Sequence, residues 1–111
     1  MKKKTLERGD FVIIDFNPQA GREMMKRRPG IVVSPSAYNN NSAVVLVCPI
    51  TTKSKGSPWE VSIPEGLSVE GYVRVDHLKS MDTVQRGAIK VGMAPKQIIE
   101  EVLAKLAPLI T

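Results

Sequence analysis

AVVLVCPI, residues 43–50, is a short apolar run rich in valine, far below the length of a membrane span, and it reads as a buried strand. Working outward from it, four further runs of the same type appear: FVIIDF (11–16), GIVVSP (30–35), WEVSI (59–63) and GYVRVDHL (71–78). Gly, Pro, Asn and Ser separate them, which are the residues that turns require. Short strands at this spacing predict a small β-barrel. A sixth run from Ala88 to Val91, entered through Arg86-Gly87, is expected to close it. Beyond Pro95 the pattern changes: Ile98, Ile99, Val102, Leu103 and Leu106 recur at helical spacing, with Lys96, Glu100, Glu101 and Lys105 on the other face. Pro95 suits the first helical position and Pro108 is expected to end the helix. The expected fold is therefore mainly β (α+β): one domain, 1–111, whose C-terminal helix covers an open end of the barrel and completes the core. Function is left to the loops 17–29, 36–42, 52–58 and 64–70.

Sixteen Lys and Arg against 11 Asp and Glu give a formal charge of +5, which favours an anionic partner. A lone cysteine, Cys48, lies inside the apolar run, where a buried, inert thiol is expected. It cannot form an intrachain disulfide, and with no apolar segment behind the N-terminal lysines the expected home is the reducing cytoplasm, with no membrane partner.

The residue inventory narrows the chemistry. A single His leaves a Ser-His-Asp triad only one route, through His77, and no zinc-ligand spacing appears. Asp10, Asp15, Glu23, Glu60, Asp76 and Asp82 are scattered singly, and no glycine-rich phosphate cradle is present, so the expectation is no metal and no cofactor. RNA cleavage fits what remains. RNA carries its own nucleophile, the 2′-hydroxyl, and a protein need only assist deprotonation, stabilise the phosphorane and help the 5′-oxygen leave. Arginine suits the phosphorane, because its planar fork donates two parallel hydrogen bonds and stays charged.

Arg28 stands where a polar loop ends and an apolar strand begins; the alternative is a surface arginine beside Lys26 and Arg27. Thr51 closes the central apolar run, so its hydroxyl either meets a phosphate or satisfies its own turn. On a strand Arg74 and Asp76 share one face while Val73 and Val75 point inward, as a catalytic pair or a surface ion pair. His77 follows the valines and is expected to be partly buried. Trp59 is expected in the core, with Tyr72 a stacking face, and Met24 and Met25 fill gaps or touch a base.

The stretch RGDFVIIDFNPQAGREMMKRRPGIVVSP (8–35), followed by Tyr38-Asn39-Asn40, Cys48-Pro49-Ile50-Thr51-Thr52-Lys53-Ser54-Lys55-Gly56, Gly71…Arg74-Val75-Asp76 and Lys79-Ser80, resembles the MazF/PemK family over nearly the whole chain. The resemblance implies a homodimer of small SH3-like β-barrels of the CcdB/PemK type, acting as the toxin of a toxin–antitoxin pair. It implies metal-independent cleavage of single-stranded RNA, usually messenger RNA, leaving a 2′,3′-cyclic phosphate and a 5′-hydroxyl. The family's arginine before proline corresponds to Arg28, its threonine to Thr51, its G-x-E acid to Glu23, and the R-x-D pair to Arg74 and Asp76. Arg28 then acts electrostatically and Thr51 orients the phosphate, with Glu23 or Asp76 as base. Lys53, Lys55, Lys79, Arg86 and Arg22 are the expected RNA-binding residues. Arg22 stands where PemK-like members carry His. The implied partner is an antitoxin with an acidic disordered segment that covers the basic surface. A CcdB-like topoisomerase-poisoning toxin and an RNA-binding barrel are the alternatives on this fold.

Overall fold

The central strand does most of the organising. The computed structural model describes residues 5–16 and 27–111. Its elements run β1 (Asp10–Asp15), β2 (Arg27–Val32), α1 (Ser36–Asn40), β3 (Val44–Thr51), β4 (Glu60–Ser62), β5 (Tyr72–Arg74), a 3-10 turn (Val75–His77), β6 (Lys79–Asp82), β7 (Ile89–Met93) and α2 (Lys96–Ile110). The main path of the antiparallel sheet is β4-β5-β3-β2-β1-β7. β3 has β2 along one flank; on the other, β6 pairs with Val44–Val47 and β5 with Ile50 and Thr51.

Alternation along the strands gives each face of the sheet its own core. Phe11, Ile31, Cys48, Ile50, Val61, Val73 and Val75 face α2, whose Ile98, Val102 and Leu106 complete that cluster. The helical stripe thus serves the core, as its spacing predicts; each fully buried side chain of this size contributes roughly 1.5–3 kcal/mol. Val12, Ile14, Val32, Val45, Val47 and Met81 cluster on the opposite face, with Phe16 against them. Cys48 is buried, and burial first, then the charge of Asp76, pushes its thiol up to about 12, so the thiolate is disfavoured. No helix among the described residues is long and apolar enough to cross a membrane.

Several residues outside the cores are committed to holding loops. Asp10, fully buried, accepts the Glu7 N–H at 2.8 Å and meets Lys90 Nζ at 3.2 Å. Asn39 donates to the carbonyls of Leu6 (2.8 Å) and Ser34 (3.0 Å) and accepts the Ser34 hydroxyl, while Ser34 Oγ also takes the Leu46 N–H at 3.0 Å. Those bonds fix α1, in a segment read from sequence as loop, against the entry to β1.

Four expectations are corrected. The barrel does not close: the run after Gly87 forms β7, but it pairs with β1, leaving β4 and β7 as the ends of the sheet. β4 and β5 are only three residues long, and α2 packs against β4. Second, GYVRVDHL is not one strand. The chain turns at Val75, whose N–H bonds the Trp59 carbonyl at 3.0 Å, and resumes as β6. Asp76 therefore no longer shares a strand face with Arg74, and His77 is exposed. Third, Trp59 is half-buried and absent from both core clusters. Fourth, α2 continues through Pro108, with Pro95 as its N-cap. A proline so near the end removes one hydrogen bond only, and the Thr111 N–H still reaches the Ala107 carbonyl at 3.0 Å.

Gly71 permits β5 to enter beside the end of β3. It has φ +120, and a Cβ there would run into the Thr51 carbonyl oxygen. Gly71→Ala is expected to lower the stability by at least about 2 kcal/mol in urea unfolding at fixed protein concentration. An unchanged midpoint would show that this backbone relaxes freely.

Candidate nucleic-acid interface

Strand register brings the candidate residues together. Gly30 pairs with Pro49, Ile31 with Cys48 and Val32 with Val47. The β2–β3 pairing ends at Gly30 and Pro49, and Arg28 and Thr51 each lie two residues beyond that end, on the face that Gly30 and Pro49 share. Arg28 pairs with Ile14 on β1, Thr51 with Tyr72 on β5, and Tyr72 with Ser62 on β4. Directly paired residues point to the same face with Cβ atoms about 5 Å apart, so Thr51, Tyr72 and Ser62 form one row, and alternation along β2 and β3 puts Arg28 on the same face beyond the end of their pairing. The next row holds Arg74 opposite Glu60, and Lys79 pairs with Val47 on the same side. Gly30 keeps the face low beside Arg28: a Cβ there would lie 2.6 Å from Val47 and 3.0 Å from the Phe16 ring.

The two neighbouring arginines have opposite roles. Arg27 donates to the carbonyls of Gly87 (2.7 Å), Ile13 (3.3 Å) and Arg86 (3.3 Å), tying the β6–β7 turn to β1. Arg28 is exposed and has no hydrogen-bond or ion-pair partner among the described residues. Its guanidinium is therefore open to an incoming anion. Thr51 Oγ1 accepts the Lys53 N–H at 3.3 Å, which satisfies a local turn and leaves its own proton to donate.

Arg74 lies in a small polar cluster. Its Nη2 is 3.1 Å from His77 Nε2, and its Nε is 3.9 Å from Glu60 Oε2. Glu60 also accepts the Lys55 N–H at 2.9 Å and the Ser54 hydroxyl at 2.8 Å. The Lys55 N–H foremost, then the Ser54 hydroxyl and the nearby cations, hold the Glu60 carboxyl below the usual carboxylate range. From behind, Lys105 of α2 donates to the carbonyls of Glu60 (3.0 Å) and Pro58 (2.9 Å).

Arg28, Thr51, Arg74 and Lys79 thus share a face, and Lys53 and Lys55 lie exposed on the loop leaving Thr51. Asp76 sits on the 3-10 turn beside Arg74 in sequence, with its side chain exposed. Arg86 is at the β1 end, its Nη1 donating to the Asp15 carbonyl at 3.0 Å. Glu23, Arg22, Met24 and Met25 lie outside the described residues. The arrangement missed by sequence reasoning is Glu60, with His77 as the neighbour of Arg74. The alternation in Trp59-Glu60-Val61-Ser62 gave a signal, since it puts Glu60 opposite the buried Val61, but which strand pairs with β4 cannot be read locally.

Residues 7–110 match the family described as PemK-like, MazF-like toxin of type II toxin-antitoxin system. The chain belongs to the PemK/MazF toxin family. It is similar to the endoribonuclease toxin MazF of Escherichia coli K12, with 38% identity over 102 residues, covering 92% of this chain and 91% of that protein. The endoribonuclease toxin ChpB of the same organism is 34% identical over 115 residues, covering 99% and 98%. Among solved structures, MazF of Deinococcus radiodurans superposes with a TM-score of 0.87 at 40% identity, covering 97% of this chain and 98% of that one. A MazE–MazF structure from the same organism gives 0.85 at 35%, covering 97% of each chain. The open sheet with its C-terminal helix is thus the PemK/MazF fold.

Glu60 also couples the site to acid stability. A carboxyl whose folded pKa is depressed contributes stability that is present above its unfolded value, 4.5, and lost as the pH falls below it. Glu60→Gln is expected to flatten the loss of urea stability between about pH 5 and pH 3. Identical slopes for wild type and variant would rule out this contribution.

Proposed function

We propose that this chain is the toxin of a type II toxin–antitoxin pair: a metal-independent, sequence-specific endoribonuclease cutting single-stranded RNA, with messenger RNA as the expected target. The observation that carries the reading is that Arg28, exposed and without a partner among the described residues, shares a face with Thr51, Arg74 and Lys79. Family membership and the endoribonuclease relatives support it. The 2′-hydroxyl gives its proton to the base as it attacks the adjacent phosphorus, the P–O5′ bond breaks, and the 5′-oxygen takes a proton from water, so the products carry a 2′,3′-cyclic phosphate and a 5′-hydroxyl.

Arg28 stabilises the charge on the phosphorane. A guanidinium is too weak an acid to be an effective proton donor, so its role is electrostatic. Thr51 donates its hydroxyl proton to a phosphate oxygen, with the Lys53 N–H fixing its rotamer. Arg74 adds a second guanidinium in the next row. Glu23 and Asp76 are the base candidates. Lys53, Lys55 and Lys79, with Arg22 and Arg86, attract the flanking phosphates.

The partners follow from the same surface. An antitoxin with an acidic, disordered segment would cover the cations and exclude RNA, as the MazE–MazF complexes of Deinococcus radiodurans support. Self-association into a homodimer is supported by β7, an end strand that exposes Ile89, Val91 and Met93 at alternate positions. The chain acts in the cytoplasm, where its RNA substrates are.

Purified protein incubated with long single-stranded RNA in excess EDTA is expected to give discrete cuts with cyclic-phosphate and 5′-hydroxyl ends. Arg28→Ala is expected to reduce kcat by about a hundredfold or more with the fold intact. Intact RNA with folded wild type, across many sequences, would overturn the nuclease reading in favour of a non-catalytic toxin.

A further inference from the structure

We infer that Glu60 is a positioning residue of the RNA-cleaving face, holding the Arg74 guanidinium and the Lys53–Lys55 loop in one fixed arrangement. The inference rests on the ribonuclease reading and adds to it a residue that never touches the substrate. Its side chain is only 6% exposed, and both carboxylate oxygens are engaged: Oε1 takes the Ser54 hydroxyl, while Oε2 takes the Lys55 N–H and faces Arg74. It is thus a hinge point between the loop that follows Thr51 and the strand that carries Arg74.

The case turns on what Arg74 lacks. Its Nε is buried and has no hydrogen-bond partner, and Glu60 at 3.9 Å is its one ion-pair partner among the described residues. Without that charge the guanidinium is bound only through Nη2 to an exposed His77, and a long side chain regains its rotamers. Lys105 fixes the backbone of Glu60 from α2, so the carboxylate itself is not free to follow Arg74. Such support from behind is what keeps a phosphate-binding group within the small tolerance that catalysis needs.

The sign of the effect distinguishes this role from simple electrostatics. A carboxylate near an RNA-binding face repels phosphates, so removing its charge should by itself tighten binding. A positioning role predicts the opposite. Glu60→Gln keeps the size of the side chain and one oxygen to accept the Lys55 N–H, while its amide can donate to the Ser54 hydroxyl, which reverses that bond and removes the charge opposite Arg74.

The test uses the full-length protein and an RNA spanning a mapped cut site, intact for turnover and 2′-deoxy at the cut for binding. Glu60→Gln is expected to lower kcat about tenfold and weaken binding several-fold, with a shallower salt dependence. In an Arg74→Ala background it should cost no further kcat. In the free protein, NMR of the arginine side chains is expected to show the Arg74 Nε–H losing exchange protection. Tighter or unchanged binding with unchanged kcat overturns the inference, as does an Arg74 signal that Glu60→Gln leaves alone. If wild type cuts no RNA, the ribonuclease reading fails separately, and the NMR arm still decides whether Glu60 holds Arg74.

Discussion

The pairing of β2 with β3 is the constraint on which the rest of the site depends. Its register runs from Val32 and Val47 in the core to Gly30 and Pro49, and the strands carry Arg28 and Thr51 two residues beyond that end, at the rim. A slip of one residue would turn Arg28 to the other face and exchange residues between the two cores, so the packing of both cores specifies which face carries Arg28. Gly30, at the end of this pairing, lets Phe16 and Val47 close over the backbone. The chemistry of the rim is thus held in place by the hydrophobic effect acting a few residues away.

β3 can serve this purpose because it is long and its outer flank is shared. β6 and β5 lie end to end along it, with the 3-10 turn between them. That interruption determines which side chains meet Arg74. A continuous strand would have put Asp76 on its face; the turn instead brings His77 to its Nη2 and leaves Glu60, across from it on β4, as its ionic partner. The two carboxylates therefore differ in environment: Glu60 is buried and hydrogen-bonded, while Asp76 is exposed.

Much was legible from the chain alone. Alternating valines located the central strands, and the 3.6-residue spacing of Ile98, Val102 and Leu106 located α2 and its buried face. The placement of Arg28 and Thr51 at strand ends also followed from local pattern. The break in GYVRVDHL did not, because every residue in it suits a strand, and Val75 still makes the next bond of the β4–β5 ladder, to Trp59, before the chain turns. The barrel closure failed for a related reason: strand propensity says that β7 exists, but not which edge it joins.

By itself, then, the sequence determined the main strands and α2, the cationic balance and the residues able to contact a phosphate, since each depends on local spacing and side-chain chemistry. Only the tertiary structure decided that Arg27 is consumed by backbone carbonyls while Arg28 stays open, and that Arg74 answers to Glu60 and His77. Those outcomes depend on partners tens of residues distant. Hydrogen bonds and ion pairs are short-ranged, and distant residues come within their reach only when strand register and core packing have fixed the fold.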